Sequence, residues 1–297
     1  MPSGGTWFSL GALPVAYQHL EDGIANDTPD QSRAPVFRMG QDSGVACRAY
    51  AARTLWMLGY PAQALVRIHE ALALAHALAH PFSLAFAQGC AATVYRDRRD
   101  VQAVHEHAEA ALALATEQGF LVDVAMGTGL RGWALALQGQ GKEGLAQVHQ
   151  GIAALQATGA VLSVPYYCTW LADVYAHLGH TEDGLQALAE AHTLVEQHEE
   201  RFWEAEIYRL RGVLLLRRSG TPQAEAEACF QQALDVARRQ EAKSLELRAA
   251  MSLSRLWQQQ GKRQEAHDLL APVYGWFTEG FDTKDLQEAK VLLEALA

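Results

Sequence analysis

Apolar and polar positions along this chain follow helical spacing, and the spacing restarts about every forty residues. One short pattern recurs: an apolar residue or Gln, then Gly, four variable residues, then Ala or Gly. It reads Leu10-Gly11 to Ala16, Leu58-Gly59 to Ala64, Gln138-Gly139 to Gly144, Leu178-Gly179 to Gly184, and Gln260-Gly261 to Ala266. Arg99 to Val104 is a degenerate copy, and Gly220 to Ala226 is a copy with an altered turn. From position 59 through 99, 139, 179, 220 and 261 the steps are 40, 40, 40, 41 and 41. A second small residue follows the first by seven, as in Ala64 with Ala71, Gly144 with Gly151, Gly184 with Ala191 and Ala226 with Ala233. A large residue sits between them, such as Ile68, Val148, Leu188 or Phe230. A helix returns positions four and seven apart to one face. Small residues there admit a neighbouring helix, and the large one fills the groove.

Upstream of each turn the pattern predicts another helix. It carries a small residue seven before the turn position and often an aromatic four before it: Ala92 with Tyr95, Ala172 with Tyr175, Ser254 with Trp257. Prolines fall where such helices begin. Pro14, Pro61 and Pro222 lie in the first turn of second helices, and Pro81 and Pro165 near the start of first helices. The first-turn N–H has no partner inside the helix, so proline is tolerated there. Pro272 is the exception and should kink or end its helix. Asn26 to Gly40, with Pro29 and Pro35, reads as a long loop. Asp282 or Thr283 should cap a final helix running through Leu296.

This architecture resembles the tetratricopeptide repeat, whose signature is W-x2-L-G-x2-Y followed by spaced Ala, Phe and Pro. The run Leu171-Ala172-Asp173-Val174-Tyr175-Ala176-His177-Leu178-Gly179 carries the likeness best. The period is longer than the usual 34, which lengthens the helices by about a turn. Further stretches narrow the resemblance: Trp56-Met57-Leu58-Gly59-Tyr60-Pro61, His80-Pro81-Phe82-Ser83, Leu130-Arg131-Gly132-Trp133 and Gly275-Trp276-Phe277-Thr278-Glu279-Gly280-Phe281. Together they look like the C-terminal repeat region of large bacterial signalling proteins. In those proteins a class III nucleotide cyclase or a DNA-binding domain is joined to a signal-transduction ATPase. A repeat array like that of the maltose-regulator family follows. The resemblance implies an interaction or sensing arm. It carries over no catalytic residue, because Gly139-Gln140-Gly141-Lys142-Glu143 lacks phosphate-loop spacing.

The expected fold is therefore an all-α, right-handed α-solenoid of about six helix pairs. Residues 1–40 form a partial repeat and loop, 41–278 the tetratricopeptide-like array, and 279–297 a C-terminal capping helix. Composition agrees: hydrophobic residues make up 49% of 297, enough for a sizeable core. With 24 basic against 34 acidic residues the net charge is −10, which disfavours sequence-independent nucleic-acid binding. No apolar run approaches the length of a membrane span, and the first ten residues lack the basic region of a signal peptide. Cys47, Cys90, Cys168 and Cys229 are spaced like neither a disulfide framework nor a zinc motif, so a reducing cytoplasm is expected. Cys168 and Cys229 read as small core residues. His76 with His80, and His105 with His107, lack a zinc-helix pattern and read as solvated or helix-end histidines. No metal, cofactor or catalytic group is expected.

Chemistry enters on the inner face. In such arrays the first helices line the concave side, at positions three, six, ten and thirteen before the turn. These positions hold Arg53, Trp56, Phe86, Thr93, Arg96, Met126, Trp133, Tyr166 and Asp173. Farther on come Glu206, Arg209, Arg217, Arg248 and Arg255. Six arginines on one surface of an acidic chain, with aromatics between them, suit a protein or peptide ligand that is acidic and has an apolar anchor. The alternative is that these arginines pair with acidic neighbours on adjacent helices. A helical enzyme or accessory subunit with its site in the concavity is the competing function, Asp173 and Glu206 being its isolated acid candidates. Trp7, Phe8, Leu10 and Leu13 are expected to form an exposed apolar N-terminal edge, a route to homo-oligomers.

Overall fold

The computed structural model describes residues 3–27 and 41–297. Its described residues form α-helices joined by short turns. Helices α1 (Gly4–Ser9) and α2 (Leu13–Ala25) make a short leading pair. Six pairs of longer helices follow: α3 (Ser43–Leu58) with α4 (Pro61–Leu78), α5 (Pro81–Asp97) with α6 (Val101–Gln118), and α7 (Leu121–Leu137) with α8 (Gly141–Ala157). Then come α9 (Val164–Leu178) with α10 (Thr181–His198), α11 (Glu204–Arg217) with α12 (Gln223–Arg239), and α13 (Lys243–Gln259) with α14 (Arg263–Gly275). Helix α15 (Lys284–Leu296) closes the chain. Asn26 caps α2, so the loop expected over 26–40 begins on time; its remainder from 28 lies outside the described residues.

The forty-residue period is a twenty-residue backbone rhythm read twice. A left-handed residue ends nearly every long helix. Inside the pairs these are Gly59, Arg99, Gly139, Gly179, Gly220 and Gly261; between pairs they are Ala79, Gly119, Gly159, Glu199 and Glu241. A left-handed residue lets backbone N–H groups bond back to the last carbonyls, stopping the helix and reversing the chain. Pro61 and Pro81 then start the next helices in their first turn, as expected. Pro272 sits inside α14, which ends three residues later. Thr283 occupies the N-cap of α15 in extended conformation.

The small-residue stripes do what their spacing predicts. Ala64, Ala191 and Ala233 are fully buried, as are Ile68, Val148, Leu188 and Phe230 between them. The α7–α8 contact goes furthest. A Cβ at Gly151 would lie 2.7 Å from the Ala125 carbonyl, and one at Gly132 2.7 Å from the Gly144 carbonyl. The two backbones therefore touch directly, and any side chain there would push the helices apart. Second helices bury a single stripe (in α4, Ala64, Ile68, Ala71 and Ala75), while first helices such as α9 are buried on nearly every side.

That burial has a cause the repeat pattern did not announce: the array closes on itself. Ser244 donates to the Trp56 carbonyl, Arg98 pairs with Asp282 at 2.9 Å, and the Arg201 amide donates to the Ser9 carbonyl at 2.8 Å. Glu279 accepts from the amides of Ala62 and Gln63, both at 3.0 Å, capping α4 from the far end of the chain. These partners lie 184 to 217 residues apart. One superhelical turn thus takes roughly five repeats, and the last pair stacks over the first. Closure corrects the expected N-terminal edge. Phe8 and Leu13 are buried, Phe8 packing 4.6 Å from the Phe202 ring, and only Leu10 of the four is exposed. Among the described residues, Leu10 and Val15 are the large apolar side chains that stay exposed at this end.

Candidate functional site

Most of the inner positions named from sequence do converge. The first helices bring them around a cleft of about 390 Å³ at the heart of the closed array. Its lining includes Arg96, Trp133, Asp173, Glu206, Arg209, Arg217, Arg248 and Arg255. Arg99, Lys284, Asp285 and Glu288 complete it. Arg53, Trp56 and Tyr166 lie in the packed wall rather than on the cleft surface.

The aromatics do not act as open anchors, which corrects the sequence expectation. Trp56, Trp133 and Tyr166 are each about 2% exposed. They serve the arginines instead. Arg53 stands over Phe8 at 4.8 Å, Phe202 at 5.3 Å and Tyr166 at 5.4 Å. Arg96 is ringed by Trp133, Tyr166, Trp170 and Trp203 at 5.3 to 5.8 Å. Arg248 lies 4.8 Å over Trp56. A guanidinium withdrawn from water keeps its charge when π-faces and carboxylates replace the lost hydration.

The alternative reading, in which these arginines pair with acidic neighbours, fits most of them. Arg96 contacts Asp97 at 3.2 Å, and the Tyr166 hydroxyl donates to the same carboxylate at 2.9 Å. Arg209 makes a bidentate pair with Glu206, both bonds 2.7 Å. Arg248 donates to Asp285 at 2.7 Å and to the Asp97 carbonyl. Arg217 donates to the Ala176 carbonyl, and Arg255 to Glu288 at 2.9 Å. Among the described residues Arg53 forms no ion pair with a carboxylate, and its Nε is unsatisfied. Asp173 accepts from the Trp133 indole at 2.8 Å.

Depth sorts these charges. On the floor, Arg96 and Glu206 are 6% exposed and Arg248 10%. At the mouth, Arg99 is 41% exposed, Glu288 38% and Arg255 45%. Burial works to raise the floor carboxyls. At Glu206 it is overcome by Arg209 and Arg248, and at Asp285 by Arg248 and Arg99, so both are held below the ordinary carboxylate range. At Asp97 burial prevails over Arg96, Arg53 and Arg248, and its carboxyl is raised. The Arg248 guanidinium is raised by Asp285 and Glu206 despite burial. The floor is thus a fixed lattice of charge, and the mouth carries the adjustable side chains.

Sequence reading missed Asp97, Arg99, Lys284, Asp285 and Glu288. Arg99 was legible only as a faulty turn glycine. The α15 residues belong to a helix read as a cap, and only closure brings that helix to the cleft. Cys168 is buried as expected, whereas Cys229 is only half-buried. His80 caps α5, its ring accepting from the Ser83 amide. Among the described residues no cluster of three potential metal ligands forms, and no helix is long and apolar enough to cross a membrane.

No family model matches the chain. An uncharacterized protein of Rhizobium meliloti (strain 1021) is 25% identical over 252 residues; these are 84% of this chain and 24% of the relative, so the chain spans about a quarter of that protein. Among solved structures, a Rap protein complexed with competence and sporulation factor is similar over 99% of this chain and 85% of its own, with TM-score 0.64 and 14% identity. The apo form of RapI is similar over 95% and 92%, with TM-score 0.57 and 10% identity. A signal-transduction ATPase with a tetratricopeptide repeat sensor from Pyrococcus horikoshii is similar over 96% of this chain and 44% of its own, with TM-score 0.51 and 12% identity. At such identities the likeness concerns architecture: this chain has the all-helical solenoid fold of tetratricopeptide-like repeat proteins.

Proposed function

We propose that this chain is a non-enzymatic binding and sensing arm whose inner cleft takes an acidic segment of a protein or peptide. The observation that carries the reading is the charge of the lining. Seven cationic side chains (Arg96, Arg99, Arg209, Arg217, Arg248, Arg255 and Lys284) face four carboxylates, inside a chain whose net charge is −10. Cations gathered against the overall sign, at a concave site, favour an anionic ligand and steer it inward. The carboxylates present are tied to arginines or to an indole, an arrangement suited to charge recognition rather than proton transfer. The solenoid neighbours support the class: one solved Rap protein is complexed with competence and sporulation factor, and one signal-transduction ATPase carries a tetratricopeptide repeat sensor. The resemblance to bacterial ATPase and cyclase repeat regions, together with the longer Rhizobium relative, supports an arm of a larger signalling chain. Four unpaired cysteines suit a reducing cytoplasm.

The test is binding of a labelled acidic peptide, followed by fluorescence anisotropy against a basic peptide of equal length. The acidic peptide should bind and weaken as salt is added. Arg217→Ala, at an exposed position tied only to a carbonyl, should weaken it by about 1.5–3 kcal/mol, the scale of a hydrogen bond to a charged group. Equal affinity for the two peptides would sink the proposal.

A further inference from the structure

Glu288 stands apart from the other carboxylates of the cleft. Its two oxygens are divided between arginines from opposite ends of the chain: Oε1 accepts from Arg99 at 2.7 Å and Oε2 from Arg255 at 2.9 Å. All three side chains are 38–45% exposed. A second hollow of about 500 Å³ lies beyond them, and Arg255 and Glu288 line both it and the cleft. The Arg99–Glu288–Arg255 bridge is therefore a partition between two cavities. The far hollow has a different character, with Val291, Leu292 and Ala295 beside glutamines. Val291 is 65% exposed there.

We propose that the Glu288 carboxylate holds the place of a ligand carboxylate. Resting on the reading of the cleft as an acidic-segment site, this assigns the ligand as a peptide that crosses the partition. One of its acidic side chains replaces Glu288 between Arg99 and Arg255, and an apolar neighbour settles against Val291. Energetics decide which internal pair gives way. Asp285 and Arg248 are 13% and 10% exposed, and separating them would leave charge stranded away from water. The two Glu288 pairs are half in solvent, where each is worth a factor of only about 1.5 to 5 in an equilibrium. An incoming carboxylate recovers both pairs, so the exchange is nearly even and further contacts tip it.

The experiment measures binding of a fluorescein-labelled decapeptide of Glu and Leu residues, with citrate and pyrophosphate as free-anion competitors. Circular dichroism melts confirm that each variant is folded. Glu288→Gln removes the internal competitor without changing shape and should bind the peptide about threefold to twentyfold more tightly. Arg255→Ala, made in the Glu288→Gln background so that no internal competitor masks it, should weaken the peptide by about 1.5-fold to fivefold, the worth of one such pair. Val291→Asp should weaken the peptide while leaving citrate competition unchanged. If Glu288→Gln binds no better than the parent while Arg255→Ala still weakens, the stand-in role is wrong and the acidic cleft survives. Citrate or pyrophosphate binding as tightly as the peptide would overturn the crossing ligand in favour of a free anion. Absence of peptide binding in every form would remove both this inference and the function it rests on.

Discussion

Glycine at a left-handed turn position costs nothing sterically, whereas any residue with a Cβ is strained there by about 1–2 kcal/mol. The rhythm of left-handed helix ends makes that strain visible at four turns, Ala79, Arg99, Glu199 and Glu241, with φ between 49° and 64°. Arg99 has a reason to be there, since its guanidinium reaches Asp285 and Glu288. Glu199 has none: it is exposed and makes no ion pair among the described residues. Glu199→Gly relieves the strain but gives the unfolded chain more freedom, which offsets part of the gain. The expected net effect is a stabilisation of about 0.5 kcal/mol, measured by urea denaturation at constant m-value. A loss of stability would mean that the strain is taken up elsewhere. Residue-scale reading of the sequence was strong where backbone need and residue type coincide, as at Gly59, Gly139 and Gly179. It was blind where a non-glycine does the same work.

Between elements, Glu200 ties two inter-repeat turns together. It lies just before α11, and its carboxylate accepts from the Ser163 amide at 2.7 Å ahead of α9. Only 3% of it is exposed, and burial raises its carboxyl to about 7, against the Ser163 bond and Arg53, which pull it down. The folded state therefore holds a proton that the unfolded chain has already released above about pH 4.5. Linkage then fixes the sign. The native form binds more protons than the unfolded form across pH 4.5 to 7, so this group's contribution is complete below that window and declines as pH rises through it. Asp123, raised to about 6 by burial, acts in the same direction. Glu206 and Asp285, held low, act oppositely and lose their contribution as pH falls below the ordinary carboxylate range. Stability should thus be greatest on the mildly acidic side. In Glu200→Gln the drop between pH 5 and pH 8 should shrink by about 1–3 kcal/mol, read from denaturation midpoints at the two pH values. An unchanged drop would show that Glu200 is ionised in the fold. Nothing in the periodicity marks Glu200, because its burial comes from two turns meeting rather than from a helical face.

Across the whole molecule, an open solenoid places each repeat in contact only with its neighbours, so a lesion at one end stays local and the array can fray. Here sequence repeats made the local pairing legible while closure stayed hidden. The contacts that close the array join residues about 190 apart and recur only once, so no period can reveal them. Closure also explains why Arg248 lies inside rather than open on a groove, since it donates to the Asp97 carbonyl 151 residues away. It adds a physical consequence: the ends should share their stability. The turn after α14 packs Trp276 5.5 Å from Tyr60, beneath the Lys243 ammonium at 5.6 Å, and Glu279 caps α4. Trp276→Ala removes a large contact at a position 37% exposed, so the core of α13 and α14 should remain intact. If the ends are coupled, hydrogen exchange should quicken both in residues 275–283 and at the start of α4, more than two hundred residues earlier. Exchange in α7 and α8 should be unchanged, because their backbones stay locked through Gly132, Gly144 and Gly151. Faster exchange confined to the C-terminal turn would show that the two ends touch without stabilising one another, and the array would then behave as an open solenoid.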